Sequence, residues 1–338
     1  MARFSIVMPV LNGGEYVKES VHCVMAQTIT DFNLHILDSG STDGTLEWIA
    51  SLADPRIIVH TSNSVAILTI QQNWSRMKTI PRNEWMSIVC ADDNLYPDYL
   101  EVMQLLIDAN PDASVFGTHF DFIDSKGDFI KTMGQMNEKF TPFSFAEKLI
   151  TNEVGVVCMM VRSADFDKMG GVPEFPNFLF ADFPLYIELA RLSGSVVISP
   201  KICLAYRLHE LSTTKSSVNE TYYLAFDRYI NYLHSLKNID EGFRSVIDKT
   251  AKNLLQKRGI EFVNKVLHTP PAQRKSYKNI RTLLQKQKGY ADLLIAEQQF
   301  NLESLTAVKI AKLIDKTWVT RNLFIAFKKR YKKPILKQ

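Results

Sequence analysis

Trp85-Met86-Ser87-Ile88-Val89-Cys90-Ala91-Asp92-Asp93-Asn94 passes from an apolar run straight into two adjacent carboxylates. The run is short and uncharged and ends at a polar turn, the pattern of a strand buried on both faces of a parallel sheet. The same pattern recurs upstream. Phe4 to Val10 is a first such run, stopped by Leu11-Asn12-Gly13-Gly14, with a helix predicted from Glu15 to about Ala26. Phe32 to Leu37 is a second, ending in Asp38-Ser39-Gly40-Ser41-Thr42-Asp43-Gly44. A helix starting near Thr42 or Asp43, both good N-cap types, carries Leu46, Ile49 and Leu52 on one face. Ile57 to His60 is a third strand, Ala66 to Met77 a helix, and Trp85 to Cys90 the fourth strand. Strands alternating with helices predict an α/β fold, a doubly wound and mainly parallel sheet flanked by helices. Ligands of such sheets sit at the carboxyl ends of the strands. The loops at Asn12, at Asp38 to Asp43 and at Asp92-Asp93 all fall there, so they converge on one crevice.

Downstream, a helix is predicted over Tyr99 to Asp108 and strands over Ala113 to Phe122 and Gly155 to Arg162. Pro184 to Leu192 reads as an amphipathic helix, and Val196 to Ile198 as a last short strand before Pro200. From about Asn219 the spacing is helical and Lys/Arg-rich, with breaks near Asp240, at Thr269-Pro270-Pro271 and near Asn301. The expected division is a catalytic domain over 1–215 and a helical C-terminal region over 216–338.

The 338 residues allow a sizeable core, and 46% apolar with 22% charged residues is ordinary globular usage. A net charge of +4 gives no case for nucleic acid. Cys23, Cys90, Cys158 and Cys203 lie far apart with no CxxC spacing, against a zinc site or a disulfide scaffold. Reduced thiols, the absence of a signal-peptide pattern, and no run of about 18 apolar residues together predict a cytoplasmic chain.

Two adjacent carboxylates are costly to bury unpaired, because desolvating each costs several kcal/mol. A hard divalent cation, Mn2+ or Mg2+, resolves that cost: it takes one or two carboxylates and completes its shell with phosphate oxygens. The competing reading of Asp92-Asp93-Asn94 is a solvated turn or an N-cap before Tyr99. Asp38 has a similar pair of readings. At a strand tip it either caps a βα turn or accepts a nucleobase N–H, which selects uracil or thymine.

Taken in order, these motifs resemble glycosyltransferase family 2 with the GT-A fold. Ile6-Val7-Met8-Pro9-Val10-Leu11-Asn12-Gly13-Gly14-Glu15-Tyr16 is similar to the family's opening, and Asp38 to Thr45 to its second loop. Cys90 to Pro97 resembles its DXD region. The resemblance continues through Phe120 to Gly127, Val161-Arg162 and Met169 to Val172 and ends at Tyr206-Arg207-Leu208-His209, about the first 210 residues. It implies a base and ribose pocket lined by Pro9, Leu11, Asn12 and Glu15, with Asp38 on the base. It implies Asp92 on the sugar or ribose, Asp93 on the metal, and Asn73 matching the asparagine of the third loop. Gln72 stands where the family often has Arg. Asp182 matches the catalytic base of an acidic pair whose first member is here Ala181, and His209 matches a histidine that reaches metal or diphosphate. Arg207 pairs with either a structural carboxylate or phosphate.

The expected activity is inverting transfer of a sugar from a UDP- or dTDP-sugar to a hydroxyl of a glycan or lipid-linked acceptor, in bacterial surface polysaccharide synthesis. Two competitors are weighed. A nucleotidylyltransferase is expected to carry a basic Gly-rich first loop, and Pro9 to Tyr16 contains no Lys or Arg. A non-catalytic nucleotide-sugar-binding scaffold draws support from Ala181, against the retained Asp38, Asp92, Asp93 and Asp182. In the C-terminal region, aromatic residues from Trp318 to Tyr331 alternate with lysines and arginines. That text fits a peripheral helix on the inner face of a membrane, and equally an amphipathic helix docked on the protein. Residues 220 to 315 also suit homodimerisation.

Overall fold

Strand β1 (Phe4–Val10) has six of its seven side chains buried to 2% or less, which requires cover on both faces. It pairs in parallel with β2 (Phe32–Asp38) on one side and β4 (Trp85–Ile88) on the other, and β2 pairs with β3 (Ile57–His60). The register Val10↔Asp38 sets the first two loops side by side. The computed structural model describes residues 2–62, 66–133, 138–209, 219–269, 274, 279–295 and 300–331.

Beyond β4 the sheet changes character. β9 (Met160–Arg162) inserts antiparallel between β4 and β6 (Val115–Ile123), and β6 pairs in parallel with β10 (Val196–Arg207). β5 (Asn94–Leu95) and β8 (Glu138–Phe140) flank β10, and β7 (Phe129–Thr132) pairs with β6. The result is a mixed sheet of order β3-β2-β1-β4-β9-β6-β10-β5. Helix α1 (Gly14–Met25) covers one face through Val17, Val21 and Val24, spaced one helical turn apart.

Several boundaries move from their expected places for local reasons. The third helix begins at Ile70, not Ala66, because Thr69 and Gln72 form a capping box; it gives way to a 3₁₀ turn at Arg76–Lys78. The polar side chain of Gln72 is thereby committed to the cap. The strand expected from Gly155 is ladder-paired only over Met160–Arg162. Upstream, Gly155 lies so close to Phe120 that a Cβ would sit 2.4 Å from its ring, and Cys158 has φ +50°. Pro200 does not end the last strand: the chain continues to Arg207 with register shifts on either side of Ile202, as a proline at a bulge allows. The short strands β7 and β8 and the helices Pro142–Thr151 and Ser163–Lys168 were not expected.

By contact the chain divides into units 1–216 and 217–338. The second contains helices Asn219–Ile239, Glu241–His268, Ile280–Leu294, Thr306–Asp315 and Trp318–Tyr331. Phe262 and Tyr290 pack edge-on against Phe226 at 4.9 and 5.6 Å. The expected breaks at Asp240 and Asn301 are side-chain caps on the following turns, while Pro270-Pro271 lies outside the described residues. Among the described residues no helix is long and apolar enough to cross a membrane.

Candidate active site

The first two loops are bonded to each other. Asn12, in the left-handed region at φ +50°, donates its N–H to Ser41 Oγ (2.9 Å) and accepts from the Thr42 N–H through Oδ1 (2.8 Å). The Gly14 N–H donates to Asp43 Oδ2 (3.0 Å). Asp38 is 2% exposed and accepts from the N–H groups of Gly40 (2.8 Å) and Ser41 (3.1 Å). Its carboxylate therefore builds the turn. Asn73, also buried, donates from Nδ2 to the Leu37 carbonyl (2.7 Å) and accepts from Arg76 (2.8 Å). The Arg76 guanidinium bonds the carbonyls of Asp38, His60 and Thr61, each at 2.7 Å. Asn73 thus ties the third loop to the tip of β2. Pro9 is half-buried and Leu11 is 43% exposed, whereas Glu15 lies on the surface, paired with Lys18 at 2.6 Å.

The acidic pair splits into two environments. Asp93 is 2% exposed; its Oδ1 accepts the Arg207 N–H (2.9 Å), and its buried Oδ2 has no hydrogen-bond partner. Burial, then the Asp92 carboxylate beside it, push the Asp93 carboxyl well above the usual range, against the opposing pull of Arg207. Asp92 is more open and meets His209 Nε2 at 2.8 Å, while Nδ1 of that imidazole is buried without a partner. Ligand atoms of Cys90, Asp92 and Asp93 lie within 4.8 Å of one another. An orphaned carboxylate oxygen beside a second carboxylate fits a hard divalent cation held by Asp92 and Asp93. Cys90 does not suit one: burial, followed by the charges of Asp93 and Asp92, pushes its thiol up and keeps it protonated. His209 joins this group through its bond to Asp92.

Arg207 supports the pair from behind. Its side chain is 1% exposed; Nε donates to the Asp92 carbonyl (2.9 Å) and a terminal nitrogen to Glu19 (2.7 Å). The other oxygen of Glu19 accepts from Asn94 (2.5 Å), and the guanidinium lies 4.8 Å over the Tyr16 ring. Of the two roles weighed for Arg207, the structure gives the carboxylate pair. Glu19 escaped the sequence reading. The signal was its place one turn after Tyr16, on the face that looks toward the acidic loop.

Asp182 is the first residue of the helix Asp182–Ser193, after a fully buried N-cap, Ala181. Burial chiefly raises the Cys90 thiol and the Tyr206 hydroxyl, and the charges of Asp93, Asp92 and, least, Asp182 add to it, so the three carboxylates act on the same groups. The approach to Asp182 is strained: Asn177, Phe178 and Phe180 all have φ between +50° and +63°. Left-handed aromatic residues are rare and cluster at functional sites. Phe178 is held there by Trp74, ring centroids 4.1 Å apart.

Known proteins of similar sequence and fold place the chain in a family. Residues 5–169 match the model of glycosyl transferase family 2. An uncharacterised glycosyltransferase of Rickettsia typhi is 24% identical over 221 residues, 64% of this chain and 67% of that one. A PGL/p-HBAD biosynthesis glycosyltransferase of Mycobacterium bovis is 32% identical over 97 residues, 28% of this chain and 36% of that one. The crystal structure of S. aureus TarS 1-349 in complex with UDP-GlcNAc superposes with a TM-score of 0.60 at 14% identity. That alignment covers 99% of this chain and 93% of TarS 1-349, and the fold is GT-A. Through residues 5–169 the chain belongs to glycosyl transferase family 2 and is a glycosyltransferase.

Proposed function

We propose that the chain transfers a sugar, with inversion, from a UDP- or dTDP-sugar to a hydroxyl of a glycan or lipid-linked saccharide in bacterial surface polysaccharide synthesis. The observation that carries this is the buried, unpartnered Asp93 Oδ2 beside Asp92, with the charge of Asp182 also felt at the neighbouring Cys90. TarS, of the same fold, was crystallised with UDP-GlcNAc, which supports a nucleotide-sugar donor.

In this reading Asp92 and Asp93 hold Mn2+ or Mg2+, with His209 fixing the orientation of Asp92. Bound there, the ion supplies positive charge for the diphosphate as it leaves. Pro9, Leu11 and Asn12 line the base and ribose, with Glu15 at the outer edge. Asp38 and Asn73 hold the loops that receive the base, and Asp38 offers it a carboxylate acceptor. Asp182 takes the proton of the acceptor hydroxyl as that oxygen bonds to the anomeric carbon and the bond from that carbon to the diphosphate oxygen breaks. One displacement by one base inverts the configuration. Residues 1–215 form the catalytic domain, and the helical region 216–338 serves the acceptor side or self-association. The enzyme works on the cytoplasmic side, where its thiols stay reduced.

The test is calorimetric titration with UDP and other nucleoside diphosphates, with and without manganese, followed by a donor screen scored by nucleotide release. UDP binding that needs manganese and is lost in Asp93→Ala supports the site. Metal-independent binding unaffected by Asp93→Ala overturns the metal assignment. UDP binding without turnover of any donor favours the non-catalytic scaffold.

A further inference from the structure

The helix Trp318–Tyr331 buries Phe324 to 7%, with its ring 5.3 Å from His268, and turns other large apolar side chains outward. Trp318 is 75% exposed, Val319 56% and Leu323 65%. Val319 and Leu323 are four residues apart and share a face, with the half-exposed Phe327 four further on. The preceding helix adds Leu313 at 67% and Ile310 at 41%. Scattered exposed apolar residues are normal, but a cluster of large ones on two consecutive helices, three of them along one face of the second, points to an interaction surface.

Charge decides what the surface meets. Residues 316–338 contain eight lysines and arginines and no Asp or Glu. With a net charge of +4 for the whole chain, the other residues are net negative by four. A second copy would bring two basic segments of the same sign together, which is unfavourable. An anionic lipid surface accepts both halves of the pattern: cations pair with headgroups while Trp and Leu enter the acyl boundary.

We propose that this face, with Trp318, Val319 and Leu323 at its centre, docks the enzyme on an anionic lipid surface. The inference adds to the catalytic reading a place of action, at a bilayer rather than in bulk solution. It stands or falls separately from that reading.

The experiment is co-sedimentation of the full chain with vesicles of phosphatidylcholine alone or with about a third phosphatidylglycerol, at low and high salt. The expected result is at least tenfold tighter binding to the anionic vesicles, weakening with salt. Val319→Asp and Leu323→Asp, both at exposed positions, should reduce it a further tenfold with unchanged circular dichroism. Equal binding to neutral vesicles, no binding, or variants that bind like the wild type would overturn the proposal. So would sedimentation equilibrium showing a dimer that Leu323→Asp dissociates, which assigns the face to a second copy. UDP calorimetry on the same variants should be unchanged, which keeps failure of docking distinct from failure of the nucleotide site.

Discussion

Arg207 and Asp93 are joined through the backbone: the Arg207 N–H donates to Asp93 Oδ1 at 2.9 Å, while its guanidinium reaches past to the Asp92 carbonyl and Glu19. One residue of β10 therefore fixes both members of the acidic pair and ties them to α1. The two partners in the ion pair are unequally exposed, Arg207 at 1% and Glu19 at 47%. Removing Glu19 strands a buried cation. Glu19→Ala should cost about 1–3 kcal/mol in urea unfolding, the penalty for leaving a buried donor without one of its acceptors. A loss under about 1 kcal/mol would mean that carbonyl acceptors suffice for Arg207.

Asp182→Asn keeps the shape of the side chain and removes its basicity. Turnover should fall by about a hundredfold or more, the range of general base catalysis, with UDP affinity unchanged. Near wild-type turnover in a donor-hydrolysis and transfer assay would remove Asp182 as the base.

His209→Ala deletes the partner that orients Asp92 at 2.8 Å. Groups that orient metal ligands typically contribute ten- to a hundredfold, so manganese affinity should weaken by about that factor. Electron paramagnetic resonance titration of free manganese reads this without turnover.

Asp38→Ala removes a buried acceptor and leaves the Gly40 and Ser41 N–H groups without their partner. The nucleotide-free chain should lose about 1 kcal/mol in chemical denaturation, the usual net worth of hydrogen bonds whose partly exposed donors can turn to water. An unchanged stability would show that the turn stands without it.

His35 and His60 form a stacked pair, Nδ1 to Nε2 at 3.0 Å, with Ser5 Oγ on the far nitrogen of His35 and Arg76 and Arg82 nearby. Burial first, then the charges of His60 and Arg82, lower the pKa of His35 from 6.5 to about 4. A histidine held neutral in the fold stabilises it above its unfolded pKa. That contribution is lost as the pH falls from about 6.5 toward 4, because the unfolded chain binds the proton first. Melting temperature should drop across this window, and His35→Gln should flatten the profile. A wild-type profile level down to pH 4 would refute it.

The parallel half of the fold was legible in the sequence because each strand is a continuous apolar run that ends at a polar loop. Ile57–His60 falls where the text places it, and Phe32–Asp38 differs from it by one residue. The antiparallel insertion of β9 was not legible. Three paired residues, after a glycine pressed against Phe120 and a left-handed Cys158, leave no periodicity to read. The candidate site was legible as residue types, since Asp38, Asp92, Asp93 and Asp182 stand in ordered motifs. Their bonding was not. That Asp38 accepts from its own turn, that Arg207 is spent on Glu19, and that aromatic residues in the left-handed region lead into Asp182 depend on contacts across the chain.

The mutual bonds between Asn12 and residues 41 and 42, with Gly14 held by Asp43, carry a consequence for engineering and descent. The two loops form one lip that cannot be exchanged half at a time. A chimaera taking only the segment around Asn12 from another protein would leave Ser41 and Thr42 facing a foreign surface. Transplanted together, the two segments should retain their shape in a new host, and natural variants should alter them in concert.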